Sequence, residues 1–230
     1  MGIAENVRTA RENINHAAIS AGRDPSKILL LAATKMNDAQ RIQQAIKAGV
    51  DICGENRVQE MLEKHSMNAY EGCPLHFIGH LQKNKVKQVV GLAELIHGVD
   101  DIPLLETVNK EARKKGLIQD LLLEVNIGSE TSKSGFSPDE IGDALSFASS
   151  LDSIRVRGLM CIPPICLNSA ENRPYFARME QLFVDNSGKK YDNVFMDFLS
   201  MGMSGDYTEA VAFGANILRL GSAIFGPRVY

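Results

Sequence analysis

Eight short runs of apolar residues recur along the 230-residue chain. Longer stretches, in which apolar residues stand three and four apart, separate them and indicate amphipathic helices. The short runs span 28–34, 51–54, 75–79, 95–99, 120–127, 155–162, 194–200 and 217–221. Strands that alternate with helices in this way pair in parallel, and eight such units close naturally into a barrel. The pattern therefore predicts an α/β fold, a single (β/α)8 TIM barrel.

An additional helix precedes the first strand. Its apolar positions Ile3, Val7, Ala10, Ile14 and Ala18 follow helical spacing, and the charges between them argue against a signal peptide. The main alternative is an open, doubly wound sheet, but no G-x-G-x-x-G motif follows the first strand. Because no linker or low-complexity segment interrupts the chain, residues 1–230 are expected to form one domain.

Composition narrows the classes of partner. The 25 Lys and Arg residues are outnumbered by 28 Asp and Glu residues, and a net charge of −3 provides no broad cationic surface for nucleic acid or anionic lipid. No apolar run reaches the roughly 18 residues of a membrane span. The four cysteines form no C-x-x-C pair or disulfide framework, which favours a reducing, cytoplasmic location.

Lys35 is the first residue beyond the first predicted strand. Active sites of such barrels lie at the carboxyl ends of the strands, and an apolar surrounding makes a lysine amine easier to deprotonate. A deprotonated lysine can form a Schiff base with a carbonyl group. The alternative is an ordinary surface lysine that follows a strand.

Small and hydroxyl residues gather at the ends of the last two strands. Ser200, Gly202 and Ser204 are expected to leave strand seven, and Gly221 and Ser222 to leave strand eight. Barrels often hold a phosphate between these two loops, where backbone amides face the anion. Ser204 could alternatively, or in addition, cap the helix in "GDYTEAVAFG".

Arg219 lies within the last predicted strand. Strand alternation puts it on the same face as Ile217 and Gly221, either inside the barrel or facing outward toward a helix carboxylate. Inside the barrel, this permanent cation would require an acceptor, which a pyridine nitrogen would provide. An amine, a phosphate site and an arginine together suggest pyridoxal 5′-phosphate (PLP).

Seven motifs extend this interpretation across nearly the whole chain: "LLAATK" at 30–35, "GENRVQE" at 54–60, "HFIGHLQKNK" at 76–85, "SKSGF" at 132–136, "RGLMCIP" at 157–163, "GMSGDYTEA" at 202–210 and "RLGSAIFGPR" at 219–228. In combination they resemble the pyridoxal phosphate homeostasis proteins, which share the amino-terminal barrel of alanine racemase. The resemblance implies that Lys35 holds PLP as an internal aldimine, that Asn56 lies beside the cofactor and that Arg219 contacts its ring nitrogen. It also implies a phosphate site formed by Ser200, Met203, Ser204, Gly221 and Ser222.

A metal site is not expected. His76 and His80 have the four-residue spacing of metal ligands on a helix, but "HFIGH" is predicted as a strand and turn, where that spacing does not converge. No metal ligand is therefore assigned.

Three functions compete: a PLP carrier, a PLP-dependent racemase-like enzyme and a Schiff-base aldolase without cofactor. The aldolase does not explain Arg219. The resembled racemases take a second base, a tyrosine, from an additional domain, and an arginine at the pyridine nitrogen leaves that nitrogen unprotonated and weakens carbanion chemistry. The carrier is therefore favoured, with no catalytic residue assigned.

The expected partners are PLP and PLP-requiring apo-enzymes, for a protein that is a monomer or weak dimer. Lys133, in the loop after strand five, is predicted to assist transfer of the cofactor to or from Lys35.

Overall fold

Eight parallel strands form a closed barrel within the part of the chain that the structure describes. A computed structural model of the protein describes residues 2–130, 134–166 and 168–227. The strands are β1 Leu29–Ala33, β2 Ile52–Glu55, β3 Leu75–Phe77, β4 Leu95–Val99, β5 Gln119–Val125, β6 Ile154–Cys161, β7 Val194–Met203 and β8 Ile217–Leu220. Each strand pairs with the next along the chain, and β8 pairs with β1, where Leu31 stands beside Arg219. The predicted (β/α)8 barrel is confirmed.

Helices occupy the connections between the strands. They are α1 Ile3–Ser20, α2 Ala39–Lys47, α3 Val58–Ser66, α4 Val86–Val89, α5 Ile102–Lys114, α6 Ile141–Ser149, α7 Arg173–Ser187, α8 Tyr207–Ala212 and α9 Ser222–Phe225. Side chains fix several of their starts: Asp38 and Asp101 accept amide hydrogen bonds at α2 and α5, and Ser137 forms a capping box with Glu140 before α6. None of the described helices is long and apolar enough to cross a membrane.

The predicted additional helix completes the outer ring of the barrel. α1 packs against α2, α8 and α9, and it buries the five periodic residues identified in the sequence. Asn6 Nδ2 donates to the carbonyl of Ile224, and Arg23 donates to the carbonyls of Val211 and Ala215. Because α9 has only four residues, α1 adds a long helix beside it in the outer ring.

The apolar core has two layers. The inner layer fills the barrel and comprises Leu31, Ile52, Leu95, Leu122, Met160 and Ile217. Leu218 and Leu220 belong to the larger outer layer between strands and helices. Since Ile217 faces inward, alternation directs Arg219 inward as well, and the outward alternative is wrong.

The carboxyl end of β7 differs from the sequence prediction. The strand continues to Met203, so Ser200 and Gly202 lie within it and do not leave it. A register shift between Ser200 and Met203 accommodates the extra length. At Gly202, φ is +91°, and an added Cβ would lie 2.7 Å from the Cβ of Ala210. This glycine therefore serves the packing of α8 against β7.

Candidate functional site

A pocket of about 1010 Å³ opens at the carboxyl ends of the strands. Seven of the eight predicted cofactor-binding residues line it: Lys35, Asn56, Met203, Ser204, Arg219, Gly221 and Ser222. The position agrees with the rule that barrel sites form on this face. Ser200 is the exception, because it is fully buried beneath the pocket. Lys133 lies outside the described residues.

Lys35 stands on the turn that follows β1. Its carbonyl accepts a hydrogen bond from Asn37 Nδ2 at 3.0 Å. The next residue, Met36, adopts the left-handed conformation with φ of 60°, which is uncommon for a residue other than glycine. The backbone thus makes a sharp turn immediately after the candidate amine.

A buried ion pair supports this turn. The ammonium of Lys64 donates to Glu55 Oε1 at 2.7 Å, to Glu60 Oε2 at 3.0 Å and to the carbonyl of Thr34 at 3.0 Å. Glu60 Oε2 also accepts the amide hydrogen of Met36 at 2.8 Å. The sequence analysis missed this cluster, although a glutamate at the end of a buried strand was a visible signal.

Arg219 lies in the barrel interior with 5% of its surface exposed. One guanidinium nitrogen donates to Ser200 Oγ at 2.6 Å and another to the carbonyl of Cys161 at 2.8 Å. Burial lowers the pKa of Arg219 from its usual value, while Glu124 and Asp206 act in the opposite direction. Arginine titrates so far above neutrality that the side chain keeps its charge. The pocket therefore has a fixed cation at its floor.

Ser200 connects Arg219 to two buried histidines. His97 Nδ1 lies 3.0 Å from Ser200 Oγ, and His97 Nε2 lies 3.0 Å from His76 Nδ1. Ser200 accepts from Arg219, and its hydroxyl and the two imidazoles form a continuous chain of hydrogen bonds in which the tautomer of His97 sets the direction of each bond. Burial lowers the pKa of His76 to about 3 and that of His97 well below its usual value. Both rings are therefore neutral at pH 7, and Ser200 supports Arg219 from below.

The loops after β7 and β8 are tied together by Ser204. Its Oγ accepts hydrogen bonds from the amides of Gly221 and Ala223, each at 3.1 Å. Asp206, and not Ser204, occupies the N-cap position of α8. With two amides already bound, the hydroxyl hydrogen of Ser204 remains for another acceptor. This geometry brings hydroxyl and amide groups of both loops to one side of the pocket.

Asn56 lines the pocket beyond the end of β2. Its Oδ1 atom is buried and has no hydrogen-bond partner among the described residues. An added Cβ on Gly79 would lie 2.2 Å from the carbonyl oxygen of Asn56, so only glycine permits this close approach. Asn56 therefore presents an unused acceptor at a rigid position.

The wall formed by the ends of β3, β4 and β5 carries acid–base groups that the sequence analysis did not assign. His80 Nδ1 lies 2.8 Å from Asp100 Oδ2, and both His80 and Glu124 line the pocket. Burial, reinforced by Asp100, raises the pKa of Glu124 to about 7.

His76 and His80 do not converge on one point, and the described residues contain no group of three or more His, Cys, Asp or Glu that could hold a metal ion.

Comparison with known proteins adds independent information. Residues 3–229 match the family described as alanine racemase, N-terminal domain. A curated pyridoxal phosphate homeostasis protein of Aquifex aeolicus is 38% identical over 230 residues, with 100% of both chains covered. Its namesake from Pseudomonas aeruginosa is 37% identical, with 99% of this chain and 96% of that protein covered.

A solved structure agrees with these relatives. PipY of Synechococcus elongatus with PLP bound matches with a TM-score of 0.82 at 31% identity, covering 97% of this chain and 100% of PipY. Family match, relatives and structure all extend over nearly the whole barrel. This chain therefore belongs, together with those pyridoxal phosphate homeostasis proteins, to the alanine racemase N-terminal domain family.

Proposed function

We propose that the protein binds PLP in this pocket, with the cofactor attached to Lys35, and that it takes part in intracellular PLP homeostasis. The observation that carries the proposal is the convergence of Lys35, Arg219 and the two loops joined by Ser204 on one pocket. The homeostasis proteins named above and PLP-bound PipY support it.

The residues present fit the chemistry of PLP. Lys35 offers an amine for the aldehyde. Ser204 and Ser222, with the neighbouring amides, offer donors for a phosphate, and Arg219 offers a permanent donor for the ring nitrogen. The buried Oδ1 of Asn56 has no partner among the described residues and offers an acceptor for a hydroxyl group. Ser200 does not reach the pocket surface, so its proposed role is to hold Arg219.

The proposal favours a carrier over an enzyme. When bound, PLP supplies an electrophilic aldehyde and an electron-withdrawing ring. Arg219 donates hydrogen bonds but does not release a proton at physiological pH, so it keeps a ring nitrogen in the unprotonated, weakly electron-withdrawing form. Racemase-like activity is the second candidate, and the presence of His80 and Glu124 in the same pocket favours it.

Absorbance and chemical trapping test the binding proposal. Purified protein should gain a visible absorption band with PLP, and borohydride reduction followed by peptide mapping should place the pyridoxyl group on Lys35. Lys35→Ala should lose this adduct but retain weak binding through the phosphate, whereas the exposed control Lys27→Ala should behave like the unmodified protein. An undiminished visible band in Lys35→Ala would show that the amine is wrongly assigned.

Isotope exchange separates carrier from enzyme. The PLP-loaded protein should exchange no Cα hydrogen for solvent deuterium at an enzyme-like rate across a panel of amino acids. Racemisation at even about 1 s⁻¹, the low end of ordinary turnover, would establish the enzyme instead.

A carrier requires recipients, and we propose PLP-requiring apo-enzymes as partners. None of the four cysteines, all of which the structure describes, forms a disulfide, which is typical of proteins in a reducing compartment and supports a cytoplasmic location. Transfer is testable by mixing the PLP-loaded protein with an apo-enzyme in the presence of a trap for free PLP. The reference sample contains free PLP and the same trap. If enzyme activity recovers no faster with the PLP-loaded protein than in that sample, direct delivery is refuted.

A further inference from the structure

The cluster of Glu55, Lys64 and Glu60 beneath the turn places charged side chains in the protein interior. The side chain of Glu55 is 0% exposed and that of Lys64 is 10% exposed. Replacement of such a pair by apolar residues is often neutral or stabilising, because removing two charges from water is costly. Stability alone therefore does not explain why these charges lie in the protein interior.

Every hydrogen of the Lys64 ammonium has an acceptor. Two of these acceptors are carboxylate oxygens, and the third is the carbonyl of Thr34, the residue immediately before Lys35. Thr34 is held a second time, because its hydroxyl donates to Glu55 Oε1 at 2.7 Å. The cluster thus fixes both the backbone and the side chain on the amino-terminal side of Lys35.

The residue on the other side of Lys35 is held by the same cluster. The amide of Met36 donates to Glu60 Oε2, which is also bound to Lys64. Burial would raise the pKa of Glu60, but the hydrogen bonds from Met36 and Lys64 lower it overall, so the carboxylate is charged at neutral pH. A left-handed conformation of a residue such as Met36 costs roughly 1 kcal/mol and persists only where surrounding contacts impose it.

We propose that Glu55, Lys64 and Glu60 are positioning residues for Lys35: they fix the turn at residues 34–36 so that the amine of Lys35 faces the cofactor pocket. The inference rests on the proposed function, because it concerns attachment of PLP to Lys35. Lys64 itself does not compete as an amine, since all three of its hydrogens are bound within the cluster.

Glu60→Ala is the direct test. It removes the acceptor of the Met36 amide at a partly exposed position, and the protein should remain folded. The rate at which Lys35 becomes attached to PLP should fall at least about tenfold, as expected for loss of a hydrogen bond to a charged group, while total PLP bound at saturation stays near normal. Hydrogen exchange of the cofactor-free protein should accelerate at the amide of Met36. Glu63→Ala, which removes the same charge from an exposed position on α3, should change neither quantity.

A second variant tests the buried pair without leaving an isolated charge. Lys64→Met alone would strand Glu55 and is expected to unfold the protein. In Glu55→Gln with Lys64→Met, the amide oxygen still accepts from Thr34, so the fold should survive while attachment to Lys35 slows. Glu60→Gln, whose side-chain oxygen can still accept from Met36, should recover part of the rate lost in Glu60→Ala.

Two results would overturn the proposal in distinguishable ways. Unchanged attachment and unchanged exchange in folded Glu60→Ala and in the double variant would show that the cluster is only structural, while binding of PLP to Lys35 would stand. Absence of any Lys35 adduct in the unmodified protein would instead refute the proposed function together with this inference.

Discussion

Replacement of Ser200 by Ala should destabilise the protein more than its small loss of volume suggests. Ser200 Oγ is fully buried, accepts from Arg219 at 2.6 Å and pairs with His97 at 3.0 Å. Loss of the bond to the charged guanidinium should cost about 1.5–3 kcal/mol, and the unsatisfied His97 nitrogen adds about 1 kcal/mol. The free energy of unfolding should therefore fall by about 3 kcal/mol, equivalent to about 6–12 °C in Tm for a chain of this size.

Urea and thermal unfolding at pH 7 measure this effect. Ser146→Ala, at an exposed position of α6, is the matched control and should change the free energy of unfolding by no more than about 0.5 kcal/mol. When His97 is also changed to Leu, the double variant should lose less than the sum of the single losses, because the removed histidine no longer needs the hydroxyl. A loss below about 1 kcal/mol in Ser200→Ala, with an unchanged dependence on urea, would refute the hydrogen-bonded chain described above.

Three further perturbations test other parts of the site. Burial lowers the pKa of His76 from 6.5 to about 3. Between these two pH values the folded protein binds fewer protons than the unfolded chain. The free energy of unfolding should therefore be highest above pH 6.5 and should fall as the pH is lowered below it. This loss of free energy of unfolding should reach at most about 5 kcal/mol. In His76→Asn, the free energy of unfolding should fall less steeply as the pH is lowered, as measured by urea unfolding. Glu124→Gln should stabilise the protein at pH 8 but not below pH 4.5. Burial raises the pKa of Glu124 from 4.5 to about 7, so the stability that the protonated carboxyl contributes is lost as the pH rises through that window. Gly79→Ala should lower the free energy of unfolding by about 2 kcal/mol or more, because the added Cβ would meet the backbone of Asn56. The control Gly205→Ala has no atom within 4 Å of the added Cβ and should leave thermal unfolding nearly unchanged.

The barrel and the positions of Lys35 and Arg219 were predictable because each follows from a local rule. Alternation of apolar runs and helices indicates the fold, and the first residue after a barrel strand faces the site. Alternation in β8 also related Arg219 to Ile217, although the inward orientation required the closed barrel. Glu124 could have been found in the same way, since it is two residues from the inward-facing Leu122.

The supporting contacts were beyond local rules. Lys64 is one of several charged residues on α3, and only the packing of that helix against β2 and the turn after β1 distinguishes it from its exposed neighbours. Ser200 was assigned to the pocket surface because strand seven was expected to end there, while the register shift near Met203 extends the strand and leaves Ser200 in the interior. Such a register shift depends on how a strand pairs with its neighbours, and the sequence of that strand alone does not reveal this pairing.

The pairing of β8 with β1 has a consequence for folding kinetics. Lys35 follows the first strand of the barrel and Arg219 belongs to the last, so the pocket joins segments from opposite ends of the sequence. Contacts of such high contact order form slowly, because most of the chain must be ordered before they are made. During synthesis β8 emerges last of the eight strands, and until it docks, the hydrogen-bonding edge of β1 is open to aggregation. A ligand that bridges both ends would bind only the closed barrel and would shift the folding equilibrium toward it.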